Sequence, residues 1–376
     1  MSRAKSYTIV LVALAVLAVL LILLRPHPSP ELRDDSTAKV SVVAEPVSAK
    51  PTLVGRQVCS ECHSENFELH AQSGHAHTFF DANDPRVSDK FVDREFDAGE
   101  PFGAYSYFLD DHGLNARRKE SEDETIPLQF ALGSGVHGIT LLSLFAGSEG
   151  TIGIEHRVTW FGTDHKLGFT PGHSDHVPAT ELELFGMAHE GENLQACVSC
   201  HSTSGTVAGR QIVNHVPNVN CEKCHGPGSE HVKQARRSDS PPPYSIGRVD
   251  WTTESEMRLC GTCHRLPDDV TRKQLRDYEP DLLRFQPIGL LRSECYLESD
   301  FQLRCTHCHN PHMAAKQKTK AAYQQDCIDC HLENSPTHVA CPVSPTDGCV
   351  ECHMRATKLD HDIAFHDHWI RVLPDE

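Results

Sequence analysis

"NCEKCHGPGSEHVKQ", residues 220–234, sets Cys221, Cys224 and His225 within five positions of one another and places a second histidine, His231, six residues on. The opening triplet is not local to this stretch. C-x-x-C-H recurs at Cys59-Cys62-His63, Cys197-Cys200-His201, Cys221-Cys224-His225, Cys260-Cys263-His264, Cys305-Cys308-His309, Cys327-Cys330-His331 and Cys349-Cys352-His353. These seven copies use fourteen of the sixteen cysteines and leave Cys295 and Cys341.

Covalent attachment of haem c requires this spacing. Two thiols add across the two vinyl groups of one porphyrin, and the histidine after the second thiol is carried under the iron as proximal ligand. Zinc ribbons are the structural rival, because the gaps Cys200 to Cys221, Cys308 to Cys327 and Cys330 to Cys349 enclose twenty, eighteen and eighteen residues. A Cys₄ ribbon has no use for a histidine behind every pair. With histidine at roughly 7% of residues, seven chance placements in seven have a probability on the order of 10⁻⁸. Disulfides also leave the histidines unexplained, and thioredoxin-like C-x-x-C motifs come singly. The expectation is therefore seven covalently attached haems, which would also supply an interior for a region poor in apolar residues.

Seven irons need sixth ligands. The chain has 26 histidines, so nineteen lie outside the triplets, against five methionines. Mostly bis-histidine ligation follows, with lower potentials than histidine–methionine haems. Proximal and distal ligands approach from opposite faces, so His231 is expected to cap a neighbouring haem rather than that of His225. His75 and His77 in "SGHAHTF", His189 in "GMAHE", His312 in "HNPHM", and His361 and His368 near the C-terminus are further candidates.

The N-terminus carries Arg3 and Lys5 before an unbroken apolar run over residues 9–24. Extended back to residue 7, it makes a helix of about 27 Å, just short of a bilayer core of about 30 Å. A cleaved signal is the alternative, but "RPHPSP" after the run is a poor cleavage site. The expected organisation is an anchor (or signal peptide) over 1–24, a proline-rich linker over 25–54, and a haem domain over 55–376. That domain would lie on the periplasmic, extracytoplasmic side of the cytoplasmic membrane. The net charge of −17 argues against nucleic acid as partner.

Within the long gap between the first two triplets, "TIPLQFALGSGVHGITLLSLF" (125–145) and "GTIGIEHRVTWF" (150–161) alternate like short antiparallel strands. Stretches such as "KTKAAYQQDCIDCHLE" (318–333) predict helices leading into triplets. The expected fold is a mainly α, loop-rich, haem-packed multihaem cytochrome c fold with a small antiparallel β insert around 125–170, inside a module of about 100–185.

These residues resemble the multihaem cytochromes c of the cytochrome c-554-like group, within the superfamily that includes hydroxylamine oxidoreductase and pentahaem nitrite reductase. "VGRQVCSECHSENFELHAQSGHAHTF" (54–79) resembles the family's opening haem site, and "ALGSGVHGITLL" (131–142) with "VTWF" and "FTPGH" resembles its β module. "CEKCHGPGSEH" and "CTHCHNPH" are similar to two recurrent stretches, and "CHM" with "HDIAFHDHWI" to the common ending. The resemblance implies distal roles for His75, His231, His312, His361 and His368. No triplet ends in lysine, as the active haem of the nitrite reductases does, and no tyrosine stretch matches the cross-link site of hydroxylamine oxidoreductase.

The leading functional expectation is a membrane-tethered electron-transfer protein serving a redox protein partner or a quinone-linked membrane complex. The alternative is an oxidoreductase acting on a small nitrogen or sulfur compound at one five-coordinate haem, with His137, His156, His165, His173 and His176 near it. Cys295 and Cys341 suit a disulfide in an exported chain.

Overall fold

The computed structural model describes residues 50–119, 124–148, 150–237, 251–331, 341–344 and 346–373. Residues 51–376 form one compact unit. The expected anchor and nearly all of the linker lie outside the described residues. Among the described residues no helix is long and apolar enough to cross a membrane.

The expectation of a mainly α fold with a small β insert is corrected: among the described residues there are four antiparallel sheets. Ten strands lie within residues 79–190. They are β1 (Phe79–Asp81), β2 (Glu95–Asp97), β3 (Ala104–Asp110), β4 (Gly113–Arg118), β5 (Thr125–Pro127), β6 (Phe130–Leu132), β7 (Gly138–Ala146), β8 (Thr151–Phe161), β9 (Lys166–Phe169) and β10 (Gly186–Glu190). A six-stranded sheet runs β1-β6-β7-β8-β10 with β9 also on β8, and β2-β3-β4-β5 forms a meander. Two hairpins lie among the triplets: β11 (Ser202–Ala208) with β12 (Gln211–Pro217), and β13 (Ala356–Lys358) with β14 (Ala364–His366).

The physical reason is period-two burial in stretches that lack an obvious apolar run. In "AYSYFLDDHGLNARR" Tyr105 and Tyr107 point inward, and "DDHG" supplies a turn at which Gly113 takes a positive φ. Both faces of the large sheet are covered. Ile139, Leu141, Ile154, Val158 and Trp160 join one apolar cluster, whereas Leu142 and Leu144 join a second with Phe79, Leu132 and Leu194.

A register shift opposite Leu141 separates the Thr140–Thr159 pair from Leu142–Glu155. The extra residues of β8 at this bulge carry His156 and Arg157, both fully buried. Arg157 donates to the carbonyls of His173 and Glu183, and His156 Nε2 pairs with the Tyr107 hydroxyl at 2.8 Å. Close by, a Cβ on Gly153 would stand 2.2 Å from Leu194 Cδ1. Glycine there lets the helix Gly191–His201, which carries the second triplet, lie directly on the sheet.

Candidate haem-binding cluster

All seven triplets sit in or at the end of a helical turn. Cys197, Cys200 and His201 end the helix Gly191–His201, and Cys260, Cys263 and His264 end Thr253–His264. The expected helix before the sixth triplet is Lys320–Cys330, capped by Thr319 accepting from the Ala322 amide. Helical spacing at i and i+3 turns both thiols of each pair to one side. The histidine closes the turn: the amides of His63, His309 and His331 donate to the carbonyls of Cys59, Cys305 and Cys327 at 2.9, 2.9 and 3.0 Å.

Four of the seven triplet histidines face another histidine. The ring centres of His63 and His231 are 6.3 Å apart, those of His225 and His312 6.0 Å, His309 and His368 6.1 Å, and His264 and His75 6.2 Å. Three of these pairs are near-parallel, and His264–His75 is turned by 76°. Such separations lie toward the long end of the range for direct ring contact. Two metal–nitrogen bonds of about 2.0 Å plus ~1.1 Å from each nitrogen to its ring centre give ~6.2 Å, so an axial pair spanning one iron fits them. His231 faces His63 and not His225, six residues before it.

Ring orientation and charge suit the same chemistry. Nδ1 of His201 lies 3.1 Å from the Thr78 carbonyl, that of His264 3.1 Å from the Gln286 side-chain oxygen, and that of His353 3.1 Å from the Arg371 carbonyl. Nδ1 of His368 is 2.9 Å from the His366 carbonyl. A ring that donates through Nδ1 presents a bare Nε2, the form that binds metal. Burial also pushes His75, His201, His225, His309 and His312 below the ordinary imidazole value, and His368 down to about 4. Neutral imidazole is the ligating state.

Triplets distant in sequence come together. The thiols of Cys59 and Cys221 sit side by side, as do Cys200 with Cys263 and Cys260 with Cys305. Cys308 is near Cys330, and Cys327 is near Cys349. Cys224 is near Cys260 and Cys263, so the spatial order is first, third, fourth, fifth, sixth, seventh, with the second beside the fourth. Two buried glutamates brace this arrangement. Glu222, inside the third triplet, accepts from the amides of Val54, Gly55 and Gly228. Glu256 accepts from the amide and hydroxyl of Thr306, both at 2.8 Å, joining the fourth triplet's helix to the fifth triplet. Sequence reasoning missed both, because a lone glutamate inside a motif carries no local signal of burial.

Other candidates are placed differently. His361 stacks on Phe161 at 3.9 Å and pairs with Asp164 at 3.1 Å. His189 Nε2 lies 3.0 Å from Glu155, and His173 Nε2 reaches the same carboxylate oxygen at 3.3 Å. Burial pushes Glu155 up, but hydrogen bonds from His173 and His189 outweigh it and bring the carboxyl down to about 2. Its charge is felt by Cys197 and His201 of the second triplet. His137 packs on Phe365, His165 near Trp160, and His176 pairs with Glu183, so the five gap histidines do not line one pocket. His331 is exposed. Cys295 and Cys341 are free thiols, the first near Cys330 and the second near Cys349, so the expected disulfide is not formed.

A family model described as "Cytochrome c554 and c-prime" matches residues 156–226, which hold the second and third triplets. No curated protein matches the chain. One solved structure, that of the outer cell wall cytochrome OcwA, is similar at 15% identity and a TM-score of 0.48, over 85% of this chain and 80% of that one. The family match supports a c-type cytochrome with covalently bound haem over the stretch that holds these two triplets.

Proposed function

We propose that this chain is an exported, membrane-tethered cytochrome carrying seven haems c, which passes electrons between the membrane and an extracytoplasmic redox partner. The observation that carries the proposal is the set of four facing imidazole pairs at 6.0–6.3 Å, each joining a triplet histidine to a histidine from elsewhere in the chain. His75, His231, His312 and His368 are the distal ligands in this reading. An iron held from both faces exchanges electrons and has no position for substrate.

The adjacency of the triplets supports a path from the first through the third, fourth, fifth and sixth to the seventh, with the second as a side branch at the fourth. The chain's part is to hold haem edges close, exclude water and set each potential through ligand and burial. The anchor rests on residues 7–24 of the sequence.

A second reading is favoured by one observation. His201, like His331 and His353, has no facing imidazole among the described residues, and Glu155, His173 and His189 gather beside its triplet. This supports a substrate-accessible haem at the second triplet, with the carboxylate and imidazoles able to hold and move protons.

Pyridine haemochrome quantitation and resonance Raman spectroscopy of the oxidised, matured protein test both readings. Seven haems, all six-coordinate and low-spin, are expected for the wire. A high-spin share of about one in seven that binds nitric oxide, with bands altered in Glu155→Gln, selects the second reading. A haem count well below seven removes the heptahaem claim.

A further inference from the structure

Arg56 opens the short helix Arg56–Ser60, three residues before Cys59. Its guanidinium lies over the Phe67 ring at 4.4 Å. The Nε and Nη2 atoms are buried, and neither has a hydrogen-bond partner among the described residues. These two nitrogens share one edge of the planar group. Their N–H bonds point the same way, at the spacing that receives both oxygens of a carboxylate.

Two enclosed N–H donors of a half-buried guanidinium left without an acceptor are costly, so the arrangement calls for an anion. The described residues do not offer one at this edge. Glu222 is close in the fold, but its two oxygens are taken up by the amides of Val54, Gly55 and Gly228. The other groups around Arg56 are thiols and imidazoles. Cys221 and His70 both feel its charge, and His70 in turn lies near His75 and His312. His75 and His312 face His264 and His225. The guanidinium therefore stands beside the first and third triplets, and beyond His70 lies His75, which faces His264 of the fourth. Each haem c brings two propionates that its thioether bonds leave unused.

We propose that Arg56 binds a carboxylate through its Nε–Nη2 edge, and that this carboxylate is a propionate of a haem held by the first, third or fourth triplet. The assignment rests on the reading of the triplets as haem sites. A fixed positive charge against a propionate stabilises the electron-rich form of that haem and raises its potential. Arg56 is in this sense a positioning and tuning residue: it forms no bond to iron, yet sets how readily one haem accepts an electron.

The test uses the matured full chain, as wild type, Arg56→Gln and Arg56→Lys. Pyridine haemochrome quantitation, spectroelectrochemical titration and the propionate bands of the Raman spectrum are recorded for each. Haem content should be the same in all three. In Arg56→Gln one component potential should fall while the others stay in place, and the propionate bands should move. Arg56→Lys keeps the charge but loses the fork, so its potential should stay near wild type while the propionate bands move. If Arg56→Gln fails to mature, the band shift in Arg56→Lys decides alone. Unchanged potentials and bands in an equally haem-loaded variant overturn the proposal. So does a wild-type potential that follows added acetate where that of Arg56→Gln does not, since the carboxylate is then a free anion. A low haem count in the wild type itself is a different failure, that of the haem reading.

Discussion

Between residues 76 and 198 the chain buries tyrosines, phenylalanines and branched aliphatics against one another in two contiguous clusters. From residue 202 onward the buried apolar side chains reduce to Val219, Met257, Leu282, Leu283, Ile288, Leu290 and Ile363 among the described residues. That second region holds six of the seven triplets, if the one ending at His201 is counted with it, and most of its cysteines are only half-buried. One region is thus a protein that packs on itself. The other holds the facing imidazole pairs, and in the reading proposed above its apolar filling comes from the macrocycles. The difference teaches where stability and function can be separated in this molecule.

The largest expected effect breaks the comparison directly. The chain made without haem maturation should keep protease protection over residues 79–190 and lose it over 202–373, as read by limited proteolysis with mass spectrometry. Equal protection of both regions would show that the second has a protein core after all. Next is Leu141→Ala, at a side chain with no exposure. Deleting this much buried volume should cost about 2–5 kcal/mol of stability. Chemical denaturation followed by far-ultraviolet circular dichroism measures it, and the low-spin haem spectrum of the native protein should be unchanged.

Acid should also act first on the β region. His156 is fully buried, and desolvation lowers its imidazole to about 3 from an ordinary value of 6.5. A folded-state value below the unfolded one means that its contribution is fully present above pH 6.5. It is then lost progressively as pH falls from 6.5 toward 3. The loss amounts to as much as about 4 kcal/mol at the acid end. His156→Gln keeps a polar partner for Tyr107 and removes the proton, so stability measured between pH 6 and 4 should become flatter. An unaltered pH slope in that variant would mean that another group carries the acid sensitivity.

The sequence shows these two regions unequally. Seven triplets are legible one by one, because haem attachment is written in consecutive residues. "GTIGIEHRVTWF" is legible as a strand for a similar reason, its period of two being local. Hairpins such as Ser202–Ala208 with Gln211–Pro217 were hidden: "STSGTVAGRQIVNHVP" has few large apolar residues and stands between two triplets. Its strands pair largely through backbone and through Ser and Thr contacts, such as Ser202 Oγ with His215 Nε2 at 2.9 Å. Distal candidates were legible as a set, since spare histidines far outnumber methionines. Their pairing was not: His231 meeting His63, or His75 meeting His264, depends on chain crossing that leaves no mark in either stretch. The same holds for Glu222, Glu256 and Arg56, whose surroundings are created by neighbours more than a hundred, fifty and eleven or more residues away respectively.

The smallest expected effect on the fold is also the sharpest in place. His312→Ala removes one ring of the His225–His312 pair, whose centres are 6.0 Å apart. His312 is only partly buried, and its loss opens no cavity in the apolar clusters of the β region. Stability of that region should therefore change by less than about 0.5 kcal/mol. The spectrum should change by one haem: a high-spin signal of about one part in seven that binds carbon monoxide in the reduced protein, with the rest low-spin. A Raman spectrum that stays fully low-spin would mean that the 6.0 Å gap does not hold an iron. The two regions would then differ in composition only, and the axial pairing of the other three facing sets would lose its geometric basis with it.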